Sequence, residues 1–571
     1  MNMNRNKLTD IFIYIGLIIA FLAPRLPGIG SFVTLDEPQW LSQGANFYYA
    51  LGQREFQNTV YEYQPAVTTM EIISLAMFLY FPEYRGLGQG YLDYEKGELD
   101  PFMVEHGHDP LVLLMYSRII QVFILLVLFV GFYFLLQSMI PKWIAAFVAV
   151  FVSFDPFFIG HTRMMDHEAM VSFFVFISIL AFAIYLRDKK ILYLLLSGGA
   201  AGFAQLTKSS SIAMLVAIGV LLLVQIFQER QQGWGRAFFN NTKVFGVWFA
   251  TLAAVYIVFW PGMWVAPGKM LYTVFGNAFS YAFQGARLTI TEELEPAQFS
   301  LRSNVGSFWE ITKVLLYRVT PLTWLGILFG LTFRFNPNRD LIRSYQLLLT
   351  LTLSIAIAFI LMFSIAQGRD SPHYILSSYF ALNVLAGLGW IHAFQWLANW
   401  LGKFQWHYAI VSVLLLQAGS AVAYFPYYFT YRNPVLHAIG WYQDAPEFPY
   451  GEGLEQAATY LSSLHGAEDS IALAYYSRGC FSYYYSGESV SFRPYYIDGE
   501  HSEDLVGNIK MANYLVVYYA NQYRMEKYHP YLKILESVEP IHVIWLNGYE
   551  YVRIYDVNMF TPEIYKALED L

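Results

Sequence analysis

The sequence has few charged residues and almost no cysteine. Only 14% of its 571 residues are Asp, Glu, Lys or Arg, against roughly 25% in soluble domains. Cys480 is the only cysteine, which excludes an intrachain disulfide and a cysteine-built metal or iron–sulfur cluster. The motifs GxxxxGK[ST], GxGxxG after a strand, HExxH and GxSxG are also missing, which argues against nucleotide-driven transport and dehydrogenase chemistry. The low fraction of charged residues excludes a soluble multidomain protein.

Hydrophobic residues, by contrast, make up 56% of the chain. They form eleven apolar runs that approach or exceed the length needed to cross a bilayer, at residues 8–23, 111–136, 142–159, 168–186, 191–207, 211–227, 243–260, 313–332, 344–366, 373–395 and 405–425. We therefore predict an all-α polytopic membrane protein with about eleven transmembrane helices.

The charges of the connecting loops predict the orientation. Basic residues collect in alternate loops, as around Arg187, Lys189 and Lys190 or around Arg334, Arg339 and Arg343, and such loops face the cytoplasm. This predicts a multi-pass plasma-membrane protein with a cytoplasmic amino terminus and the carboxyl-terminal tail outside. Residues 430–571 carry a net charge of −10 and residues 1–429 one of +2, so we expect no nucleic-acid partner.

Three predicted external segments are too long to be simple connections, and we expect function there. They are residues 24–110, residues 261–312 and the tail. In the first, 34–51 has the apolar spacing of an interfacial amphipathic helix, and 66–81 is interpreted as interfacial or re-entrant because Glu71 interrupts it.

The chain is divided into a membrane catalytic domain, 1–429, and an extracytoplasmic α/β domain, 430–571. In the latter we predict a helix over 453–464 and strands at 470–475, 512–518, 541–546 and 549–555. The last two flank Asn547-Gly548, a dipeptide favoured in two-residue turns.

Asp36 and Glu37 follow the first apolar run and precede Pro38. This order is typical of a helix N-terminus, with Asp36 as the cap. Asp36 is also suited to act as a general base that takes a proton from an acceptor hydroxyl at the membrane surface, and the two interpretations are compatible. Glu37 points about 100° away on such a helix, and we assign it a supporting, orienting role in catalysis.

Four cations lie at predicted external ends of the apolar runs: Arg118, Arg163, Lys208 and Arg369. Each alone is typical of an interfacial anchor whose side chain reaches the lipid headgroups. Together, with His373 beside the last of them, they predict an anion site. A lipid-borne phosphate is the anion expected at that depth.

Asp166, His167 and Glu168 follow Arg163 and are residue types that bind metal ions. Adjacent residues of a helix point about 100° apart, so they cannot all face one ion. We therefore expect no metal site, and interpret Asp166 and His167 as a polar helix start that supports Arg163.

Several of these residues belong to motifs that occur in a fixed order. They are Asp36-Glu37, YQPAVTTM (63–70), Arg118, FDPFFIGHTRMMDHEAM (154–170), LTKSS (206–210) and GRDSPHYILSSYFALNVLAG (368–387). Over residues 8–425 this set resembles the GT-C superfamily of glycosyltransferases that use polyprenyl-phosphate sugars, near the protein O-mannosyltransferases and the aminoarabinose transferases of lipid A.

Some positions depart from the pattern of these relatives. Gln64 stands where some relatives have a basic residue, and Tyr63 where the aminoarabinose transferases have a metal-associated Glu. His373 stands where Arg is frequent, and Ser377 where Pro is common. The resemblance therefore gives Gln64 and His373 supporting roles and assures no cofactor, leaving a divalent metal weakly supported.

The resemblance implies a GT-C type fold and an inverting transfer of a sugar to a hydroxyl of a protein, a lipid or a glycan. The donor's hydrocarbon chain would lie among membrane lipids and helices, and its phosphate would meet Arg118, Arg163 and Lys208. Alternative functions are a ligase or polymerase that uses a pyrophosphate-linked oligosaccharide, a membrane transporter, and a non-catalytic receptor. Transport is disfavoured because the two halves of the sequence show no repeat.

Overall fold

The structure is a computed structural model that describes residues 5–61, 63–276, 278, 301–332, 339–365, 371–401, 406–441, 448–492, 502–524 and 529–571. Its amino-terminal three quarters are helical. The helices are α1 (Arg5–Leu22), α2 (Glu37–Gln53), α3 (Val67–Tyr80), α4 (Leu99–Glu105), α5 (Pro110–Leu136), α6 (Lys142–Ser153), α7 (Pro156–Arg163), α8 (Glu168–Asp188), α9 (Ile191–Thr207), α10 (Ala213–Glu229), α11 (Trp234–Val258), α12 (Gly262–Val265), α13 (Pro267–Leu271), α14 (Leu301–Arg318), α15 (Pro321–Thr332), α16 (Arg339–Ile365), α17 (Leu376–Leu401) and α18 (Trp406–Val422).

The structure does not confirm the predicted number of membrane-spanning helices. Among the described residues, 6 helices are long and apolar enough to cross a bilayer, or up to 8 if each of two bent pairs is one span. The six straight ones contain α5, α8, α10, α11, α16 and α17. The other predicted runs form bent pairs or shorter or more polar helices, so the count of eleven is not confirmed.

The two bends occur where proline interrupts the helical hydrogen bonding. Helices α6 and α7 meet at 74°, and α14 and α15 at 115°. At the first bend the Asp155 carboxylate accepts a hydrogen bond of 2.9 Å from the Phe158 amide and caps α7, which begins at Pro156. The bend thus sets the direction of α7, whose carboxyl-terminal end carries His161 and Arg163.

The first long segment contains both of the predicted interfacial helices, but α2 is mostly buried. Its residues Trp40, Leu41 and Phe47 belong to the apolar core that the helices of residues 1–429 form. Gly44 permits close packing of α2 on α3, since a Cβ atom there would lie 2.4 Å from Cγ2 of Ile73. Helix α3 has 14 residues, which is too short for a perpendicular crossing. Helix α3 therefore packs against α2, and α2 begins directly after Asp36.

The tail contains the predicted α/β structure and one strand that was not predicted. Its helices are α19 (Pro434–Ala438), α20 (Leu454–Ser462), α21 (Ser502–Met511), α22 (His529–Leu535) and α23 (Pro562–Glu569). Its strands are β1 (Ile471–Tyr475), β2 (Glu488–Phe492), β3 (Tyr514–Val517), β4 (His542–Leu546) and β5 (Tyr549–Asp556). They form one sheet of order β2-β1-β3-β5-β4.

The sheet is mixed. β1 pairs in parallel with β2 and β3, whereas β5 is antiparallel to β3 and β4. Asn547 and Gly548 connect β4 to β5 with φ angles of 49° and 83°, as a two-residue turn of this type requires. Strand β2 was not predicted because its sequence, ESVSF, has only two apolar residues.

The tail is bound directly to the first long segment. The Tyr484 hydroxyl donates to the carbonyl of Gly30 at 2.9 Å, and Nη2 of Arg478 donates to Oγ of Ser42 at 2.6 Å. The amide of Leu35 donates to the carbonyl of Tyr450 at 3.2 Å. The tail therefore helps to hold the chain next to Asp36.

Candidate active site

A polar cavity of about 160 Å³ lies between α2, α7, the start of α8, the turn that precedes α17, and the tail. Its wall carries the carboxylates Asp36, Asp166 and Glu168 and the imidazoles His161, His167 and His373. Aromatic side chains complete it, and these are Trp40, Tyr63, Tyr374, Phe429 and Tyr450. Such a concave site with converging titratable groups is the expected form of an active site.

Asp36 lines this cavity and is exposed. It occupies the N-cap position of α2, as its sequence context predicts, but its side chain makes no capping hydrogen bond. Because the carboxylate does not cap the helix, the N-cap position gives little support to a purely structural role for Asp36. The carboxylate is thus mounted at a rigid helix start beside the cavity.

Glu37 is fully buried and makes a different set of contacts. Its carboxylate accepts hydrogen bonds from Nε and Nη2 of Arg118 at 2.7 and 2.5 Å. It also accepts from the amides of Thr34 at 2.7 Å and Met165 at 2.6 Å. Glu37 therefore ties the start of α2 to α5 and to the chain before α8. Glu37 does not line the cavity itself, and its supporting, orienting role in catalysis remains a prediction.

Arg118 serves this buried ion pair instead of facing the cavity. Beyond Glu37, its guanidinium donates to the carbonyls of Ile29 and Phe32, and the residue is 1% exposed. These partners use most of its hydrogen-bond donors. The expectation that Arg118 meets the donor phosphate does not fit this arrangement.

Arg163 is also buried behind the cavity wall. Its Nη2 donates to the carbonyls of Pro27 and Gly28, and its guanidinium carbon lies 5.3 Å from the centre of the Tyr428 ring. It holds α7 against the first long segment. Although Nε and Nη1 have no hydrogen-bond partner, Arg163 is not among the residues that line the cavity.

Lys208 lies closer to the cavity, one residue layer behind it. Its ammonium group pairs with the carboxylate of Glu168, and both side chains are 3% exposed. Its Nζ lies 4.8 Å from the centre of the Tyr374 ring. The three cations thus have separate partners, and they do not converge on one point as we expected. Arg369 lies outside the described residues.

The predicted supporting residues do line the cavity: Gln64, Asp166, His167 and His373. Nε2 of Gln64 donates to the Tyr63 hydroxyl at 3.0 Å, and Nδ1 of His373 lies 3.3 Å from the hydroxyl of Tyr450. The cavity residues that we did not predict as site residues include His161, Glu168 and Tyr450. Tyr450 belongs to the tail, and no local pattern connects it with Asp36.

Asp166, His167 and Glu168 offer ligand atoms within 4.8 Å of one another. Our argument against such convergence assumed a helix, and that assumption was wrong. Residues 164–167 form an irregular segment and α8 begins only at Glu168. The three side chains are therefore not separated by helical angles.

A divalent metal nevertheless does not fit these residues, since both carboxylates already have partners. Lys208 pairs with Glu168, and Nδ1 of His161 lies 2.6 Å from Oδ2 of Asp166. Burial alone would raise the pKa of Asp166, but the hydrogen bond and charge of His161 hold it well below its usual range. Burial, and then Lys208, lowers the pKa of His167 to about 3, so that this imidazole is neutral.

Part of the chain matches a known protein family. The match, over residues 114–261, is to the family described as dolichyl-phosphate-mannose-protein mannosyltransferase. It includes Arg118, Arg163, Asp166 and Lys208. No curated protein matches the chain significantly.

The chain is also similar to solved membrane-protein structures. One is the oligosaccharyltransferase AglB of Archaeoglobus fulgidus in complex with an inhibitory peptide and a dolichol-phosphate, with 13% identity, a TM-score of 0.42, and 90% of this chain and 69% of that chain covered. Another is ArnT of Cupriavidus metallidurans bound to undecaprenyl phosphate, with 11% identity, a TM-score of 0.43, and coverage of 98% and 100%. A third is the Pmt1-Pmt2 complex of S. cerevisiae, with 16% identity, a TM-score of 0.34, and coverage of 51% and 38%.

The family match includes two of the motifs on which the sequence resemblance rests, FDPFFIGHTRMMDHEAM (154–170) and LTKSS (206–210). The match therefore supports the sequence resemblance over residues 114–261 of the helical domain.

Proposed function

We propose that this protein transfers a sugar from a polyprenyl-phosphate donor to an acceptor hydroxyl at the external face of a membrane. One observation carries the proposal: the Asp36 carboxylate lies exposed at a rigid helix start, on the wall of a polar cavity built by both the membrane helices and the tail. Such a position suits a base that meets a lipid-borne sugar and a water-borne acceptor.

An apolar groove supports the lipid nature of the donor. It has a volume of about 260 Å³ and is lined by Ile72, Leu75, Ile124, Met170, Phe174 and Phe203, with Thr68 and Glu71 as its polar residues. Met170 follows Glu168 of the polar cavity by two residues along α8. The first turn of the same helix therefore contributes residues to both the groove and the polar cavity.

In the proposed reaction the acceptor oxygen attacks the anomeric carbon as the bond from that carbon to the phosphate oxygen breaks. Asp36 accepts the proton of the acceptor hydroxyl, and polyprenyl phosphate leaves with the bonding electrons. One base and one stabilised leaving group suffice for inversion, so no covalent sugar–enzyme intermediate is needed.

The activity is tested by incubating the purified protein with a panel of polyprenyl-phosphate sugars and measuring release of polyprenyl phosphate. We expect release with at least one sugar, and faster release when acceptor is present. Release of a polyprenyl pyrophosphate from a pyrophosphate-linked panel would favour the ligase alternative. No release from either panel would contradict the proposal and favour transport or ligand binding.

The proposed orientation can be tested with single cysteines, because the native Cys480 is buried. Glu468 in the tail and Lys190 between α8 and α9 are both exposed. In intact cells we expect an impermeant thiol reagent to label Glu468→Cys and not Lys190→Cys. Equal labelling of both after membrane permeabilisation is the control. The reverse pattern in intact cells would place the tail in the cytoplasm.

We also propose that the transfer needs no divalent metal, because Lys208 and His161 already compensate the two carboxylates. Turnover is expected to stay within about twofold of the untreated protein after treatment with EDTA, whereas a catalytic metal contributes several kcal/mol to the transition state. Loss of turnover that Mn²⁺ or Mg²⁺ restores would show that a metal displaces these partners.

A further inference from the structure

The polar cavity presents carboxylates and imidazoles but no guanidinium or ammonium group from the residues that the structure describes. Arg118 and Arg163 lie behind its wall, and Lys208 is engaged by Glu168. A phosphate that entered the cavity would therefore need another hydrogen-bond donor among the lining side chains.

His161 has the geometry of such a donor. It is 2% exposed, lines the cavity, and directs Nδ1 to Asp166 at 2.6 Å. Its other nitrogen, Nε2, is buried and has no hydrogen-bond partner. An unsatisfied buried polar atom of this kind is costly unless it has a ligand or a function.

The surroundings of His161 fix the orientation of its ring. The rings of Phe157 and Phe429 each lie with centroids 4.7 Å from that of the imidazole. Tyr450 and His373 lie further away, at 5.7 and 6.0 Å. Among the described residues, Asp166 is the one carboxylate that contacts the imidazole.

On this basis we propose that Nε2 of His161, held in place by Asp166, donates the hydrogen bond that binds the phosphate of the lipid-linked sugar. This inference rests on the proposed function and adds to it the residue that recognises the leaving group. His161 is a catalytic residue in this scheme because it touches the reacting phosphate. Asp166 is a positioning residue because it acts through the imidazole.

The hydrogen bond is expected to strengthen during the reaction. The donor phosphate is a diester with one negative charge. When the bond from the anomeric carbon to oxygen breaks, the electron pair remains on that oxygen and the phosphate becomes a monoester with a second charge. A donor aimed at the developing charge stabilises the transition state more than the ground state. The acceptor's proton goes to Asp36, so the step needs no proton transfer to or from His161.

The test compares the wild-type protein with His161→Phe, His161→Gln and Asp166→Asn, each purified as the full chain. Binding of polyprenyl phosphate and of the uncharged polyprenol is measured by competition with a labelled lipid. His106→Phe is the matched control, because His106 is exposed directly after α4 and lies outside the cavity.

We expect His161→Phe to bind polyprenyl phosphate about ten- to a hundredfold more weakly, as for the loss of one charge-assisted hydrogen bond, with unchanged affinity for polyprenol. Turnover is expected to fall about a hundredfold or more. His161→Gln should recover part of the phosphate affinity, because its amide can donate from a position near that of Nε2. Asp166→Asn should lose part of the preference for phosphate over polyprenol.

General damage to the fold would weaken the binding of both lipids, whereas loss of the phosphate contact would weaken only the binding of polyprenyl phosphate. The inference is overturned if His161→Phe keeps the wild-type preference for polyprenyl phosphate over polyprenol. Failure of the wild-type protein to release polyprenyl phosphate from any donor would contradict the proposed function instead, and the two binding measurements would still decide the role of His161.

Discussion

Replacing Asp36 by Asn is expected to slow sugar transfer by roughly a hundred- to ten-thousandfold, the usual contribution of a general base. Asn caps a helix about as well as Asp, and the side chain of Asp36 makes no capping hydrogen bond. The variant should therefore be as stable as the wild type and bind donor with the same affinity. Only proton acceptance is removed, so the loss should appear in kcat.

The measurement is the release of polyprenyl phosphate under saturating donor, together with thermal unfolding in detergent. Asp109→Asn is the matched control, since Asp109 caps α5 by accepting a hydrogen bond of 2.7 Å from the Leu111 amide. We expect that control to keep its turnover. An Asp36→Asn variant with near-normal turnover would show that another group is the base.

Replacing Arg118 by Met is expected to destabilise the protein by about 3–5 kcal/mol, because it leaves the Glu37 carboxylate buried without its cation. Both side chains of this pair have 0% exposure. Glu37 also accepts hydrogen bonds from the amides of Thr34 and Met165. We therefore expect the segments that carry Asp36 and Asp166 to shift, and turnover to fall with stability.

Two further variants separate charge burial from lost packing. In Glu37→Gln/Arg118→Met no charge remains at the site, so the double variant should be more stable than Arg118→Met alone. Arg187→Met, from the partly exposed pair with Asp188, should cost at most about 1 kcal/mol. Thermal unfolding in detergent measures all three. Equal stability of Arg118→Met and the wild type would contradict a structural role for the pair.

Much of the helical framework was predictable, because burial in a membrane requires long apolar runs and these are visible locally. The runs at 111–136 and 168–186 correspond closely to α5 and α8. The run at 142–159 was visible too, but its 74° bend was not. A proline indicates where a helix can break, whereas the angle depends on what packs against each half. In the tail, the Asn547-Gly548 turn was predictable because its backbone conformation is intrinsic to those residues.

The site was predictable only in part. The sequence by itself determined that a carboxylate would stand at a helix start, at Asp36, and that Asp166 and His167 would form a polar segment before a helix. The tertiary structure alone decided which charges face the cavity and which are used within the protein. Glu37 and Arg118 are 81 positions apart, and Glu168 and Lys208 are 40 apart. A local pattern shows that a charge near the membrane needs a partner, since an unpaired one is costly, but the partner comes from a distant part of the chain. Tyr450 reaches the cavity for the same reason: the docking of the tail on the first long segment is a long-range contact that no spacing in the sequence encodes.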